Sequence, residues 1–135
     1  MNLSVSATLL YGVVGAVVLT YFPYLFVAIG RFQIGYDMSA PRAMLDKLPP
    51  YARRANWAHQ NCFEALIIFT AAALMAYITG VESSWAKVAA IAFLGSRFLF
   101  SLFYIFDIPL LRSLMFGIGS AASLSLFILS LKTLN

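Results

Sequence analysis

The sequence predicts an all-α integral membrane protein, a four-helix bundle forming a single four-span transmembrane domain over residues 1–135. Three observations carry this expectation. Of the 135 residues, 62% are apolar and only 10% charged, with a mean hydropathy of +0.88. A soluble domain of this size could not hide so much apolar surface from water. The apolar residues fall into four runs, each about the length that crosses a hydrocarbon core. The polar groups inside those runs crowd toward one end of them.

The first span is expected over residues 7–30. The first thirty residues carry no charged side chain, whereas a cleavable signal would have a positive n-region and a shorter apolar stretch, so a retained span is predicted. At about 1.5 Å per residue it reaches about 36 Å, and Pro23 should kink it. A real loop follows over residues 31–52, RFQIGYDMSAPRAMLDKLPPYA, broken by Pro41, Pro49 and Pro50. The second span, 53–80, ends at Gly80 and is tied by a few residues around GVESS to the third, 85–106, which only Arg97 interrupts. Little more than DIP separates it from the fourth, 109–131, with Pro109 suited to a first helical turn. The chain has no internal repeat and no low-complexity tract.

Charge sets the direction. Arg31, Arg42, Lys47, Arg53, Arg54 and Arg112 fall on one side of the membrane, against Lys87 and Lys132 on the other. The positive-inside rule then places the long loop and the 3–4 turn in the cytoplasm and both termini outside, in a multi-pass protein of the cell inner membrane. The same rule explains the net charge of +4 without a nucleic-acid partner. Cys62 is the only cysteine, so no intrachain disulfide can form, and no residue pattern suggests a metal site.

Residues 53–64, RRANWAHQNCFE, load the start of the second span with groups that lipid penalises. A charge near the bilayer centre costs about 2.5–3.5 kcal/mol on insertion scales, so ionisable residues inside spans usually have a purpose. Glu64 and Arg97 each lie about 15 Å deep from the same side. Equal depth and opposite charge make them natural partners, either as a buried ion pair joining helices within or between subunits or as part of a site. Trp57, Asn61 and Glu64 share one helix face, with Gln60 beside Glu64; Arg97, Ser101 and Tyr104 share another; Arg112 and Ser113 open the fourth span. A helix pair needs one polar contact to set register, and this chain supplies about eight groups in one half of the membrane. That asymmetry predicts a polar pocket open to the cytoplasm, whose cations Arg31, Arg54, Arg97 and Arg112 suit an anionic ligand. His59 has either a capping role near the headgroups or a ligand-binding one. Cys62 is expected to be a buried inert thiol, the aromatic run FLFSLFY a lipid-facing and packing surface, and Gly117 with Gly119 a close helix contact.

The stretch Arg54-Ala55-Asn56-Trp57-Ala58-His59-Gln60-Asn61-Cys62-Phe63-Glu64, followed by an apolar run, resembles the MAPEG family, the membrane-associated proteins in eicosanoid and glutathione metabolism. The segment RFLFSLFYIFDIPLLRSLMF is similar to that family's third and fourth helices. The resemblance covers essentially the whole chain. It implies homotrimers that bind glutathione as co-substrate between adjacent subunits near the cytoplasmic face, with membrane lipid and a lipophilic small molecule as further partners. It implies that Asn61 and Glu64 bind glutathione, Glu64 through the ligand's amino group, with Arg97 and Tyr104 from the third helix. Arg31 would reach a ligand carboxylate, Arg54 and His59 would join the binding set, and Arg112 with Ser113 would stabilise the sulfur as the catalytic pair. Trp57 and Gln60 stand where eicosanoid-making members are richer in arginine. Phe100 replaces a histidine and Phe116 a tyrosine. These departures argue against a dedicated prostaglandin or leukotriene synthase. They leave a glutathione-dependent transferase or peroxidase acting on lipophilic electrophiles or lipid hydroperoxides, with a non-catalytic MAPEG-like scaffold or ligand-binding protein as the alternative. A small transporter is disfavoured, since no span shows Gly/Pro breaks at matching positions.

Overall fold

The computed structural model describes residues 3–135, and among them four helices are long and apolar enough to cross a membrane. They are α1 (Val5–Gln33), α2 (Pro50–Ile78), α3 (Ser84–Ile105) and α4 (Pro109–Thr133). A chain in lipid must bond its backbone groups internally, and helices do so within one segment. The multi-pass all-helical architecture is thus what composition demands. α1 continues through Pro23 as a helix and on to Gln33, and α2 starts at Pro50. The connection expected over 31–52 is therefore shorter and partly ordered, with a 3-10 helix over Pro41–Lys47. Helix outlasts the apolar run at both ends because polar side chains there do not prevent it and Pro50 suits a first turn. Ahead of the 3-10 helix, Asp37 Oδ1 accepts from the Ser39 amide at 3.0 Å and its hydroxyl at 2.7 Å. The Ser39 hydroxyl, more than any other group, holds the Asp37 carboxyl below its ordinary range.

The two short turns close in the same way. At Gly80 (φ +70°), Val81 N–H donates to Ala76 O and Gly80 N–H to Tyr77 O. At Asp107 (φ +60°), Ile108 N–H donates to Phe103 O and Asp107 N–H to Tyr104 O. Both are Schellman endings, which require a left-handed residue just past the helix. Glycine supplies it freely at position 80; aspartate, which tolerates that region better than most residues, supplies it at 107. Pro109 then starts α4.

α1 lies against α2 and α4 against α3, with α3 also touching α1, and α2 reaching α3 and α4. The main core occupies the end of the bundle that holds the termini. There Phe69 and Phe93 stack with centroids 3.9 Å apart, among Ala72, Ala73, Ala76, Ala86, Ala89 and Ala90. Lipid tails give helices no hydrophobic reason to associate, so small residues that allow close van der Waals approach are the means of packing. At the loop end a smaller cluster of Val27, Leu48, Ala52, Ala55 and Ile105 joins α1 to α2. Gly30 makes that seam possible, since a Cβ there would collide with the Ala52 methyl.

Candidate functional site

Two cavities of the loop-side half lie on different faces of α2. The larger, about 410 Å³, lies between α1, the 3-10 helix and α2, with Tyr24, Arg31, Arg42, Asn56, His59 and Gln60 in its wall. Arg31 ends α1 and is only 8% exposed. Its Nη1 donates to the Tyr24 hydroxyl at 3.0 Å, while its buried Nε has no partner. His59 Nδ1 lies 2.6 Å from Thr20 O. A carbonyl can only accept, so Nδ1 carries the hydrogen. The carbonyl that Pro23 leaves without its helical donor is that of Leu19, four residues back, so the Thr20 carbonyl is its neighbour in the same turn. Tyr21, Tyr24 and Phe63 surround the imidazole at centroid distances of 5.4, 5.1 and 4.9 Å.

The smaller cavity, about 110 Å³, lies between α2, α3 and α4 and is lined by Asn61, Glu64, Arg97, Phe116, Ser120 and Ser123, among others. Arg97 is 3% exposed. Its Nη2 donates to Asn61 Oδ1 at 2.7 Å and to Cys62 Sγ at 3.4 Å, and its guanidinium carbon lies 4.0 Å from the Phe100 ring centroid. Its Nε is buried and unpartnered. Glu64 shares this cavity but stands exposed on the surface of the chain. The partner of Arg97 within the chain is therefore neutral Asn61, not the Glu64 expected from equal depth, because Asn61 lies one turn nearer on the same face. Gly119 gives Arg97 its room: a Cβ there would come within 2.9 Å of Ser96 Oγ and 3.5 Å of Arg97 Cδ. Gly117 faces open space, so of the glycine pair only Gly119 makes the close contact.

A third group sits at the ends of α3 and α4, lining neither cavity. Arg54 Nε donates to Ile105 O at 3.1 Å, answering one of the last carbonyls of α3. The guanidinium of Arg112 lies 4.6 Å from the Tyr104 ring centroid, and Trp57 approaches the same ring at 6.5 Å. Ser113 is exposed. The single chamber expected from the sequence is thus, within one chain, two cavities and a separate end cluster. Asn61, Glu64 and Arg97 come together; Arg31 and His59 come together elsewhere; Arg54, Tyr104 and Arg112 form the third set, with Ser113 at its edge. Sequence reasoning marked His59 as a candidate for ligand binding and Gln60 as a neighbour of Glu64, but did not mark Tyr24, or the face that Asn56, His59, Gln60 and Phe63 share. The latter was visible as positions i, i+3, i+4 and i+7 of α2; Tyr24 had no such signal.

Chemically, the two cavities share one property. A buried guanidinium with a free Nε and no acidic partner in its own chain is unfavourable in an apolar medium. Each is set to accept a carboxylate or another anion.

Residues 8–132 match the family model described as MAPEG family. No curated protein matches the chain.

Proposed function

The chain belongs to the MAPEG family, and from that premise we propose that it is a membrane-bound glutathione-dependent transferase or peroxidase. Its acceptors are lipophilic electrophiles or lipid hydroperoxides. It works as a homotrimer of the cell inner membrane, with both termini on the non-cytoplasmic side and glutathione held between adjacent subunits near the cytoplasmic face. The observation that supports this reading is that, of three arginines with a buried and unpartnered Nε, Arg31 and Arg97 line the two cavities, while Arg53 lines neither and donates to the Asp46 and Leu48 carbonyls. Glutathione has two carboxylates and one ammonium. Arg31 and Arg97 answer the carboxylates and Glu64 answers the ammonium. Their cavities lie on different faces of α2, so a ligand bridging two subunits can meet the larger cavity of one and the smaller cavity of the next.

The chemistry needs a thiolate. A free thiol titrates near 8.5, and nearby positive charge raises the thiolate fraction at neutral pH. Arg112, in the first turn of α4 where the helix dipole also favours negative charge, supplies that charge together with Ser113. In conjugation the sulfur bonds to an electrophilic carbon and a leaving group departs, the thiol proton passing to solvent. In peroxide reduction two glutathione molecules become the disulfide as the hydroperoxide becomes alcohol and water.

The test is direct. Glutathione added to the detergent-purified protein should produce thiolate absorbance, and the protein should turn over a chlorinated nitroaromatic and a lipid hydroperoxide. Absence of binding at millimolar glutathione overturns the proposal. One observation favours the second reading, a non-catalytic scaffold or ligand-binding protein: Arg112 rests on the Tyr104 ring, outside both cavities. That reading predicts that Arg112→Ala leaves function intact while Glu64→Ala collapses the oligomer on size exclusion.

A further inference from the structure

The opposite end of the bundle carries a third concavity, about 390 Å³, open on the outer surface between α1 and α3. Its wall includes Thr8, Tyr11, Gly12, Lys87, Ala90 and Leu94. The floor is short in side chain where Gly12 and Ala90, both buried, meet; a Cβ at Gly12 would turn inward, 3.3 Å from the Phe69 ring and 3.5 Å from the Ala90 methyl. Tyr11 and Ile91 rise at its sides, 65% and 64% exposed. Lys87 stands at the mouth, in the first turn of α3. Its ammonium donates to the Leu3 carbonyl rather than to a carboxylate, and an ammonium has three hydrogens to give.

The depth of the groove is readable. Trp85, 71% exposed, precedes Lys87 by two residues, and exposed tryptophan and tyrosine mark the headgroup level of a bilayer. From Lys87 to Leu94 the helix descends about 10 Å into hydrocarbon. The groove therefore starts among headgroups beside a cation with spare donors and ends among acyl chains on an apolar floor. We propose that it binds one anionic phospholipid of the leaflet at the termini end, with the phosphate on Lys87 and one acyl chain laid over Gly12 and Ala90. Charge complementarity selects the occupant: a basic side chain at the headgroup level attracts anionic lipid by about 1 kcal/mol, and among the described residues no carboxylate lines the groove to compete for the ammonium.

Native mass spectrometry of the delipidated full chain, titrated with phosphatidylglycerol and with phosphatidylcholine of the same acyl chains, tests this. The wild type should hold one phosphatidylglycerol per chain with about fivefold preference, since both lipids offer a phosphate but only phosphatidylcholine sets a quaternary ammonium beside Lys87, and one charge at this level is worth about 1 kcal/mol. Lys87→Gln should bring both lipids to the same weak binding, and Thr8→Trp, which occupies the groove, should remove both. Equal binding of the two lipids by the wild type, or a preference that survives Lys87→Gln, overturns the proposal. So does disulfide cross-linking of Ile91→Cys between chains, with lipid excluded. Should Thr8→Trp fail to fold, Lys87→Gln decides alone, because it changes only the rim.

Discussion

The two halves of this bundle are built to different ends. Around the Phe69–Phe93 stack, toward the termini end, alanines from α2 and α3 are 7% exposed or less and the core cluster holds no charged side chain, Phe93 alone of its buried members bordering the cavity of Arg97. At the loop end, Arg31 and Arg97 are nearly as buried, at 8% and 3% exposed, and each leaves its Nε unanswered, as does the half-buried Arg53. One half is complete by itself. On the proposed function, the other is completed by an anionic ligand. The contrast then separates stability from binding along the membrane normal, and it can be broken by mutation.

The largest effect should come from Phe69→Ala, which opens a cavity in the complete half and costs about 3–5 kcal/mol in an unfolding titration. Glutathione affinity per folded molecule should hardly change; a collapse of affinity without loss of stability would end the division. Arg97→Met should do the reverse. It removes a buried charge that has no acidic partner in the chain, so the melting temperature should hold or rise. Glutathione binding should weaken roughly tenfold to a hundredfold, the worth of a charge-assisted hydrogen bond of about 1.5–3 kcal/mol.

Gly30→Ala probes the joint between the two behaviours. Its methyl collides with Ala52 where α1 carries Arg31 into the larger cavity. We expect a loss of about 1–3 kcal/mol, as for overpacking, together with weaker binding; loss of stability alone would mean that the seam does not position Arg31. Asp107→Gly relieves a left-handed residue and should gain up to about 1 kcal/mol with binding unchanged. The smallest effect is at the exposed loop. Because the folded Asp37 carboxyl titrates below its unfolded value, its bond to Ser39 stabilises the loop above the ordinary carboxylate range. That contribution fades as pH falls through the folded value. Amide protection factors at Ser39 and Ala40, measured against the intrinsic exchange rate at each pH, should fall there, and in Asp37→Asn they should be insensitive to pH over that interval.

Hydropathy made the four helices legible, because in lipid nothing but helix satisfies a run of twenty apolar residues. Pro109 and Gly80 marked their turns for the same local reasons that operate in the fold. Asp107 was not readable as a left-handed residue, since its conformation is imposed by the brevity of the α3–α4 turn. Helical spacing brought Asn61 and Glu64 to one face and put Arg97 at their level. It could not say that Asn61 would take the guanidinium, nor that Arg112 would lie on Tyr104, because spacing along a helix does not give the rotation between helices. The cavity beside Arg31 was the larger omission. The 3-10 helix that brings Arg42 to it lies in a proline-broken loop, where periodicity carries no signal.

One detail of that cavity bears on selectivity. With the Nδ1 hydrogen of His59 committed to Thr20, the ring in its neutral form has only a lone pair left, on Nε2. Beside Arg31 and Arg42, which can only donate, this is an accepting group. A bare inorganic anion would satisfy the arginines and leave the imidazole idle. A peptide fragment, whose acid group is followed at short distance by an amide hydrogen, would engage both kinds of neighbour at once.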